Sequence, residues 1–167
     1  MNINMLIEQI EGNWFTQSTT YFLTRSIINH YKHQVVFKEI KNVKATTHEI
    51  QVALKKIYVQ YKEIDVQVAL LKCSDYQECK NFYTIFVYLP ENKNGNIWKI
   101  KSDGKLIGQS MFQVGFSNSI FIEYKSKNLK IFEQIYFIND NLKIVKSVIN
   151  IDNKPASVCF SSEIKIS

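Results

Sequence analysis

The residues with the clearest chemical potential lie in one stretch, 129–151, which reads as two β-strands joined by an Asn-Asp-Asn turn. Glu133 stands in the first strand, and Lys143, Lys146 and Ser147 stand in the second. Together they supply an acid, two cations and a hydroxyl, which is more polarity than a plain two-faced strand needs. They predict that the hairpin forms part of the wall of a ligand-holding barrel.

The register of this hairpin decides which of these side chains share a face of the sheet. With a two-residue loop, Glu133 faces Lys146. With one more loop residue, Glu133 faces Ser147 and shares its side of the sheet with Lys143 and Val145. The residue types leave both registers open, and a cross-strand ion pair on a solvated surface is the plainer interpretation of the polar residues.

The composition indicates one globular domain, residues 1–167, with a substantial core. The hydrophobic fraction of 46% is a globular value, and five glycines and two prolines are too few for a linker-rich or low-complexity protein. No apolar run approaches the roughly 20 residues of a membrane span, and we expect no secretory or transit leader. The sequence therefore predicts a single domain that does not engage a membrane.

The net charge of +6 comes from 21 basic and 15 acidic residues, and the lysines are scattered through nearly every segment. Such a surface suits an acidic partner or an anionic ligand, although a solvated basic surface is the commoner explanation. No glycine-flanked aromatic signature of a single-strand binder is present. A basic nucleic-acid-binding barrel is therefore only a minor alternative, and we expect no nucleic-acid partner.

The cysteines and histidines do not predict a metal site. Cys73, Cys79 and Cys159 form an odd set without CxxC spacing, which indicates inert thiols in a reducing compartment. His30 and His33 are three residues apart without nearby cysteine or carboxylate ligands, so we expect both on the surface.

The N-terminal third predicts a helix at 2–11, strands at 14–23 and 34–40 with a polar turn at 29–32, and a helix that begins at Thr46 or Thr47. Gly12 stands where a helix ends in the left-handed conformation, and Glu49 follows Thr46 at the spacing of a capping box. Alternation places Trp14 on one strand face with three hydroxyls, those of Thr16, Ser18 and Thr20. That face suits the wall of a cavity with a polar rim. The alternative interpretation of this segment is a half-exposed edge strand.

Short strands follow one another from residue 82 onward, at 82–89, 97–101, 105–109, 111–116, 120–124, 129–138, 142–151 and 158–166. Their succession across tight turns predicts an antiparallel meander. Closure of about ten such strands removes exposed edges, and a barrel of that size can enclose one ligand. The predicted fold class is mainly β: a ten-stranded, antiparallel up-and-down barrel with an N-terminal helix and one further helix.

Four segments resemble motifs of the S-type phycobiliprotein lyases, the CpcS/CpeS family, and they occur in the family's order. They are GNWFTQST at 12–19, Glu63-Ile-Asp followed by Ala69-Leu70, NLKIVKSV at 141–148 and FSSEIK at 160–165. The likeness covers nearly the whole chain, which resembles a divergent member of this family.

Four positions depart from the family's arginine pattern. Ser18 stands where the first motif usually has an arginine, and Gln134 stands where an arginine usually follows the glutamate. The two arginines of the penultimate strand are replaced by Lys143 and Val145. Lysine cannot form the planar, bidentate hydrogen bonds that a guanidinium group makes with a carboxylate. We therefore expect this chain to differ from other family members in binding strength, bilin preference or activity.

The resemblance implies a barrel like those of lipocalins and fatty-acid-binding proteins, with helices at its mouth. It implies a lyase whose substrate is a phycobilin, such as phycoerythrobilin or phycocyanobilin, and which attaches it by a thioether to a cysteine of an apo-phycobiliprotein subunit. It implies no further cofactor, and a location in the plastid stroma or, alternatively, the cyanobacterial cytoplasm. Homodimer formation is left open.

The resemblance implies two catalytic carboxylates, Glu133 and Glu163. A carboxylate near the pyrrole nitrogens favours the protonated chromophore, which is more electrophilic at its ring-A ethylidene. Ser147 would orient Glu133 by a hydrogen bond, and the nucleophile would be the acceptor's cysteine. For Glu133, Ser147 and Lys143 to face inward together, the hairpin needs the longer loop.

Substrate binding is implied for the remaining candidates. Trp14 would form an aromatic wall for the apolar plate of the bilin, although packing under the N-terminal helix is the plainer role. Lys143, and after it Lys146, would bind propionates at the barrel mouth, with Ser18 as a further contact. The alternative function is a non-catalytic carrier of a bilin or another small apolar ligand, suggested by the missing arginines.

Overall fold

The computed structural model describes residues 3–62, 64–76, 80–89 and 91–166, which form two α-helices, a 3₁₀ helix and ten strands. The elements are α1 (Ile3–Ile10), β1 (Gly12–Phe22), β2 (Ile27–Glu39), the 3₁₀ helix (Val43–Ala45), α2 (His48–Val59), β3 (Gln67–Asp75), β4 (Lys80–Tyr88), β5 (Asn94–Lys101), β6 (Leu106–Val114), β7 (Ser119–Lys125), β8 (Leu129–Asn139), β9 (Leu142–Ile151) and β10 (Lys154–Lys165). Asn2 at the start of the predicted first helix, Glu63 of one family motif, and Cys79 lie outside the described residues.

The ten strands close into one antiparallel barrel. Each strand pairs with its neighbours in sequence, and β1 completes the ring by pairing with β10. Tight turns make these connections short: between β9 and β10, Asp152 and Asn153 take left-handed φ values of 50° and 61°, a conformation that such side chains tolerate. The predicted up-and-down barrel is confirmed.

Two predicted boundaries are wrong because polar residues join the strand ladder. β2 begins at Ile27, so the stretch 29–32 is paired with β1 instead of forming a turn. The turn lies at 23–26, where Ser26 takes a φ of 52°. The strands predicted at 105–109 and 111–116 are one strand, since Ser110 between them pairs with both β5 and β7.

α1 closes one end of the barrel, which we call the closed end. Its apolar residues Ile3, Leu6, Ile7 and Ile10 are at most 7% exposed, and they pack in one cluster with inner residues that include Phe86, Phe112 and Phe137. Gly12 follows the helix with a φ of 138°, as the sequence predicts, and a Cβ there would lie 2.8 Å from Lys165 Cε. No helix in the described part of the chain covers the opposite end, the open end.

α2 covers the outer surface of β3 to β5. Its residues Ile50, Leu54 and Ile57 pack in a second cluster with Leu70, Ile85 and Trp98. The predicted capping box is wrong, because the cap residue is Thr47, without a side-chain capping bond. The Thr46 hydroxyl instead donates a 2.6 Å hydrogen bond to the Val43 carbonyl.

Replacing Leu6 by alanine should lower the free energy of unfolding by about 2–5 kcal/mol, because this side chain is 0% exposed where α1 meets the barrel interior. Urea unfolding followed by circular dichroism measures the change. Glu8→Ala, on the exposed side of the same helix, should shift it by less than about 0.5 kcal/mol. Equal effects of the two substitutions would contradict the packing of α1 into the barrel.

Candidate functional site

The β8–β9 hairpin has the predicted inward register, but the longer loop that was expected to produce it is wrong: the loop is two residues long, 140–141, and a bulge near the end of β8 supplies the extra residue. Glu133 pairs with Ser147, and the register shifts by one residue between Phe137 and Asn139. Phe137 is 4% exposed in the core under α1, and it pairs with Lys143. Because paired residues share a face, Glu133, Lys143 and Ser147 all point into the barrel. The register that the family resemblance requires is confirmed.

Glu133 and Ser147 form a polar pair about halfway along the lumen. The Ser147 hydroxyl donates a hydrogen bond of 3.0 Å to Glu133 Oε2, and both side chains are half-buried. The next residues on this face are Cys159, which pairs with Ser147, and Thr20, which pairs with Cys159. On the inner face, Glu133 is therefore the one carboxylate in a cross-strand row whose other three members are neutral. All four side chains are partly exposed to solvent.

Lys143 and Glu163 form an ion pair next to the closed end. Lys143 Nζ lies 3.0 Å from Glu163 Oε2, and the side chains are 5% and 16% exposed. Burial lowers the pKa of Lys143, whereas the charge and hydrogen bond of Glu163 act in the opposite direction. The resemblance places Lys143 at the barrel mouth; that expectation is wrong, because α1 covers this end and Glu163 neutralises the ammonium group.

Trp14 lies under α1 and not on an accessible wall. It is 0% exposed, and its indole Nε1 donates a 2.8 Å hydrogen bond to the Ile10 carbonyl. Lys143 Nζ and Lys165 Nζ lie 4.1 Å and 4.9 Å from the centroid of its ring, as in cation–π contacts. The structure therefore matches the alternative, packing under the N-terminal helix, and Trp14 offers no free ring surface for the expected aromatic wall.

Lys146 and Ser18 lie on opposite faces of the barrel wall. Because Lys146 precedes the inward Ser147, it points outward, and its Nζ lies 5.0 Å from the ring centroid of Tyr136. This outward position does not support its expected role as a propionate-binding cation at the barrel mouth. Ser18 lies on the inner face opposite Ser161, and its hydroxyl donates a long hydrogen bond of 3.4 Å to the backbone of β2.

The sequence pattern did not single out Thr16 and His33 as neighbours of Glu163. Thr16 is 3% exposed and pairs with Glu163 on one side and His33 on the other. His33 Nδ1 is buried without a hydrogen-bond partner, so the expected surface position of His33 is wrong, whereas His30 is exposed as predicted. The alternation that turns Trp14 inward also turns Thr16 inward, but the β1–β2 register was needed to place His33.

Within the described residues, no group of three or more His, Cys, Asp or Glu side chains could hold a metal ion. That part of the chain also contains no helix that is long and apolar enough to cross a membrane.

Comparison with known proteins decides the family. The model of the CpeS-like protein family matches residues 2–166. The chain belongs to this family. The resemblance that rested on four sequence motifs is therefore confirmed.

Individual proteins agree with this assignment. A protein described as a chromophore lyase CpcS/CpeS homolog, from the red alga Gracilaria tenuistipitata var. liui, is 27% identical over 166 residues, 99% of each chain. The structure of the S-type phycobiliprotein lyase CPES from Guillardia theta matches with a TM-score of 0.73 at 13% identity, over 100% of this chain and 94% of that one. A DUF3598-family protein of unknown function from Nostoc punctiforme PCC 73102 matches with a TM-score of 0.57 at 9% identity, and this chain spans 49% of it. At these identities the two structures show a shared fold.

The departures of this CpeS-like chain from the family's arginine pattern fall on both sides of the wall. Gln134 follows the inward Glu133 and therefore points outward, so the replacement there leaves the lumen unchanged. Val145 points inward and is 8% exposed, and Ser18 also lies on the inner face. At these two positions the lumen therefore lacks the positive charge of the family's arginines. Of the four positions, only 143 still carries a cation, as Lys143.

Cys73 and Cys159 should differ sharply in reactivity. Cys73 is 0% exposed, and burial raises its pKa to about 12, so only about one thiol in ten thousand is ionised at pH 8. Cys159 is partly exposed on the lumen face. Iodoacetamide at pH 8 should modify Cys159 and leave Cys73 intact until denaturant is added, as peptide mass mapping will show. Equal modification of both in the folded protein would contradict this burial.

Proposed function

We propose that this CpeS-like protein is an S-type bilin lyase that binds a phycobilin in the lumen and attaches it by a thioether to a cysteine of an apo-phycobiliprotein subunit. Family membership and the description of the 27% identical relative as a chromophore lyase homolog support the reaction class. The observation that carries the proposal at the site is the Glu133–Ser147 hydrogen bond on an inner face that solvent reaches.

The wall around Glu133 suits an apolar conjugated plate. Half-buried aliphatic side chains point inward from three neighbouring strands: Ile122, Ile131, Ile135 and Ile149. An apolar ligand would remove them from water, which contributes roughly 25 cal/mol for each Å² buried. A long tetrapyrrole plate can exploit such a wall without needing Trp14.

Glu133 is the proposed acid–base group. Its carboxylate, placed beside the pyrrole nitrogens, stabilises their protonated form and makes the ring-A ethylidene more electrophilic. Ser147 fixes the orientation of the carboxylate. The thiolate of the acceptor cysteine forms the carbon–sulfur bond at the ethylidene carbon, and the electron pair of the double bond passes into the protonated ring system.

Glu163 and Lys143 act as a pair at the closed end. The Lys143 ammonium contacts Glu163 and the rings of Trp14 and Phe37, so a propionate that reaches it competes with Glu163. Lys165, half-buried beside Trp14, supplies a second cation there. Glu163 therefore holds Lys143 in place, and the acid–base role falls to Glu133.

Titration with phycocyanobilin or phycoerythrobilin, followed by addition of an apo-subunit, tests the proposal. We expect a change in the bilin absorption spectrum and zinc-enhanced fluorescence on the acceptor band of a denaturing gel. Iodoacetamide should modify Cys159 more slowly in the bilin complex, because this thiol lies beside Ser147 in the lumen. An unchanged spectrum together with an uncoloured acceptor would remove the proposal.

A second candidate function is a non-catalytic carrier of a bilin or another small apolar ligand. Val145 and Ser18 favour it, because both lumen positions lack the arginine that is usual in the family. A carrier binds without forming a thioether, so a covalently coloured acceptor subunit would exclude it.

We also place the protein in the plastid stroma, with the cyanobacterial cytoplasm as the alternative. The red algal origin of the 27% identical relative supports this location. Immunodetection in fractions of isolated plastids tests it, and recovery of the protein only outside the plastid fraction would contradict it.

A further inference from the structure

Strand β5 carries two lysines on the inner wall of the barrel. Ile97 belongs to the cluster under α1 and points inward, whereas Trp98 and Ile100 pack outward in the cluster under α2. Alternation along the strand therefore turns Lys99 and Lys101 into the lumen. Because β5 runs from the closed end to the turn at 102–105, both lysines lie in the open half, and both side chains are exposed.

The ammonium groups of these two lysines lack a carboxylate partner. Neither Lys99 nor Lys101 forms an ion pair with an acidic residue in the part of the chain that the structure describes. Lys80 on β4 also points inward, but it stands opposite Asp75 in the strand ladder. Lys99 Nζ instead lies 5.8 Å from the ring centroid of Phe82, which faces Lys101 in the ladder. An inner wall with cations and no matching acid is suited to an anionic ligand.

The charge of Lys99 acts on the interior of the barrel. Cys73 lies on the inner face of β3 beside Phe82, and burial raises the pKa of its thiol. Lys99 opposes this rise in the pKa more strongly than Lys143 does. Since Lys143 is buried and neutralised by Glu163, an anion that enters from the open end meets the lysines of β5 first.

We propose that Lys99 and Lys101 bind the two propionates of the phycobilin and so orient it in the lumen. This assignment rests on the proposed function and names the residues that position its substrate. Residues two apart on a strand lie about 7 Å from each other. The propionates stand on the two adjacent inner rings of the tetrapyrrole, so each lysine can reach one carboxylate. The charges also balance, with two ammonium groups for two carboxylates.

The position of the lysines relative to Glu133 matches the two edges of the pigment. A pyrrole ring carries its propionate and its nitrogen on opposite edges. Strands β6 and β7 separate β5 from β8, so Glu133 faces the lumen from another side of the wall than the lysines. Propionates held at β5 therefore direct the nitrogen edge towards Glu133, where the proposed protonation takes place.

The lysines of β5 also supply positive charge that the lumen lacks elsewhere. Ser18 on β1 and Val145 on β9 stand where arginines are usual in the family. Three strands separate β5 from each of these two strands in the closed barrel, so the lysines lie on the opposite side of the lumen. In this chain the propionates are therefore bound from the β5 side.

Titration of the full chain with phycocyanobilin and with its dimethyl ester, followed by absorption, tests the proposal. The ester keeps the conjugated plate but has no propionate charge. Wild-type protein should bind the free acid more tightly than the ester. Lys99→Met and Lys101→Met should each weaken binding of the free acid about tenfold, and the double variant about 100-fold. Binding of the ester should stay unchanged in all three variants, which also shows that they fold.

Two further variants separate a direct contact from a general effect of charge. Lys32→Met is the matched control, because Lys32 is exposed on the outer face of β2 and its loss changes the net charge equally. It should leave both dissociation constants unchanged. Lys99→Arg should keep the preference for the free acid, since a guanidinium group also binds carboxylates.

A wild-type protein that binds neither pigment would overturn the proposed function and this assignment together. Equal affinity for the acid and the ester would overturn the assignment alone, because the lumen would then bind the pigment without its propionates. Wild-type affinity of Lys99→Met/Lys101→Met for the free acid would do the same, since another cation would then bind the carboxylates. Equal weakening by Lys32→Met would also overturn it, because overall charge would then account for the preference.

Discussion

Replacing Lys143 by methionine should lower the free energy of unfolding by about 3–5 kcal/mol. Methionine approaches lysine in volume, but it leaves the Glu163 carboxylate, 16% exposed, without its cation. It also removes the charge that lies 4.1 Å from the Trp14 ring centroid and 5.1 Å from that of Phe37. Urea unfolding at pH 7 measures the loss.

Lys38→Met provides the matched control for this loss. Lys38 is exposed on the outer face of β2, so its replacement should change stability by less than about 0.5 kcal/mol. The double variant Lys143→Met/Glu163→Met should regain most of the stability, because it removes the unpaired carboxylate as well. A Lys143→Met variant as stable as Lys38→Met would contradict the buried ion pair.

Glu133→Gln should slow bilin transfer to the acceptor by about 10²–10⁴-fold. The amide has the size of the carboxylate and can still accept the hydrogen bond from Ser147, so the shape of the lumen is retained. It carries no negative charge, however, and cannot stabilise a protonated pyrrole. We expect the protein to bind the bilin, to lose the absorption band of its protonated form, and to transfer it slowly in a single-turnover assay.

Glu91→Gln is the control for transfer, since Glu91 is an exposed carboxylate in the turn between β4 and β5, far from Ser147 in the chain. It should transfer bilin at the wild-type rate. Ser147→Ala should slow transfer less than Glu133→Gln, because it frees the orientation of the carboxylate but keeps its charge. A Glu133→Gln variant as fast as Glu91→Gln would assign the acid–base role elsewhere.

The barrel could be predicted from the sequence because each strand from Phe82 onward carries its own β-branched and aromatic signal. The inward position of Glu133 could not be predicted from the residues alone. It depends on one extra residue near the end of β8, a bulge that shifts the register and so decides which side chains of β9 share a face with Glu133. The motif order of the family resolved that ambiguity, and the register agrees with it.

The sequence could not decide, by contrast, which of the candidate site residues are buried or turned away from the lumen. Trp14 and Lys143 were expected to meet a ligand, with packing under the N-terminal helix as the alternative for Trp14. Instead, α1 folds over both residues, and Glu163 on the neighbouring strand β10 neutralises the lysine. Lys146 was expected at the barrel mouth because its charge suited a propionate, whereas strand alternation turns it to the outside of the wall. His33 reached the lumen through its pairing with Thr16, which depends on where the β1–β2 turn falls.

The helix that closes one end has a kinetic consequence. Because α1 covers the closed end, a ligand that enters the barrel through the open end must also leave through it. Under the proposed function, the pigment and the acceptor's cysteine would use the same open end, so binding of a pigment and its transfer would alternate. The turnover rate should then pass through a maximum as the concentration of free pigment is increased, because excess pigment at the open end would block access of the acceptor.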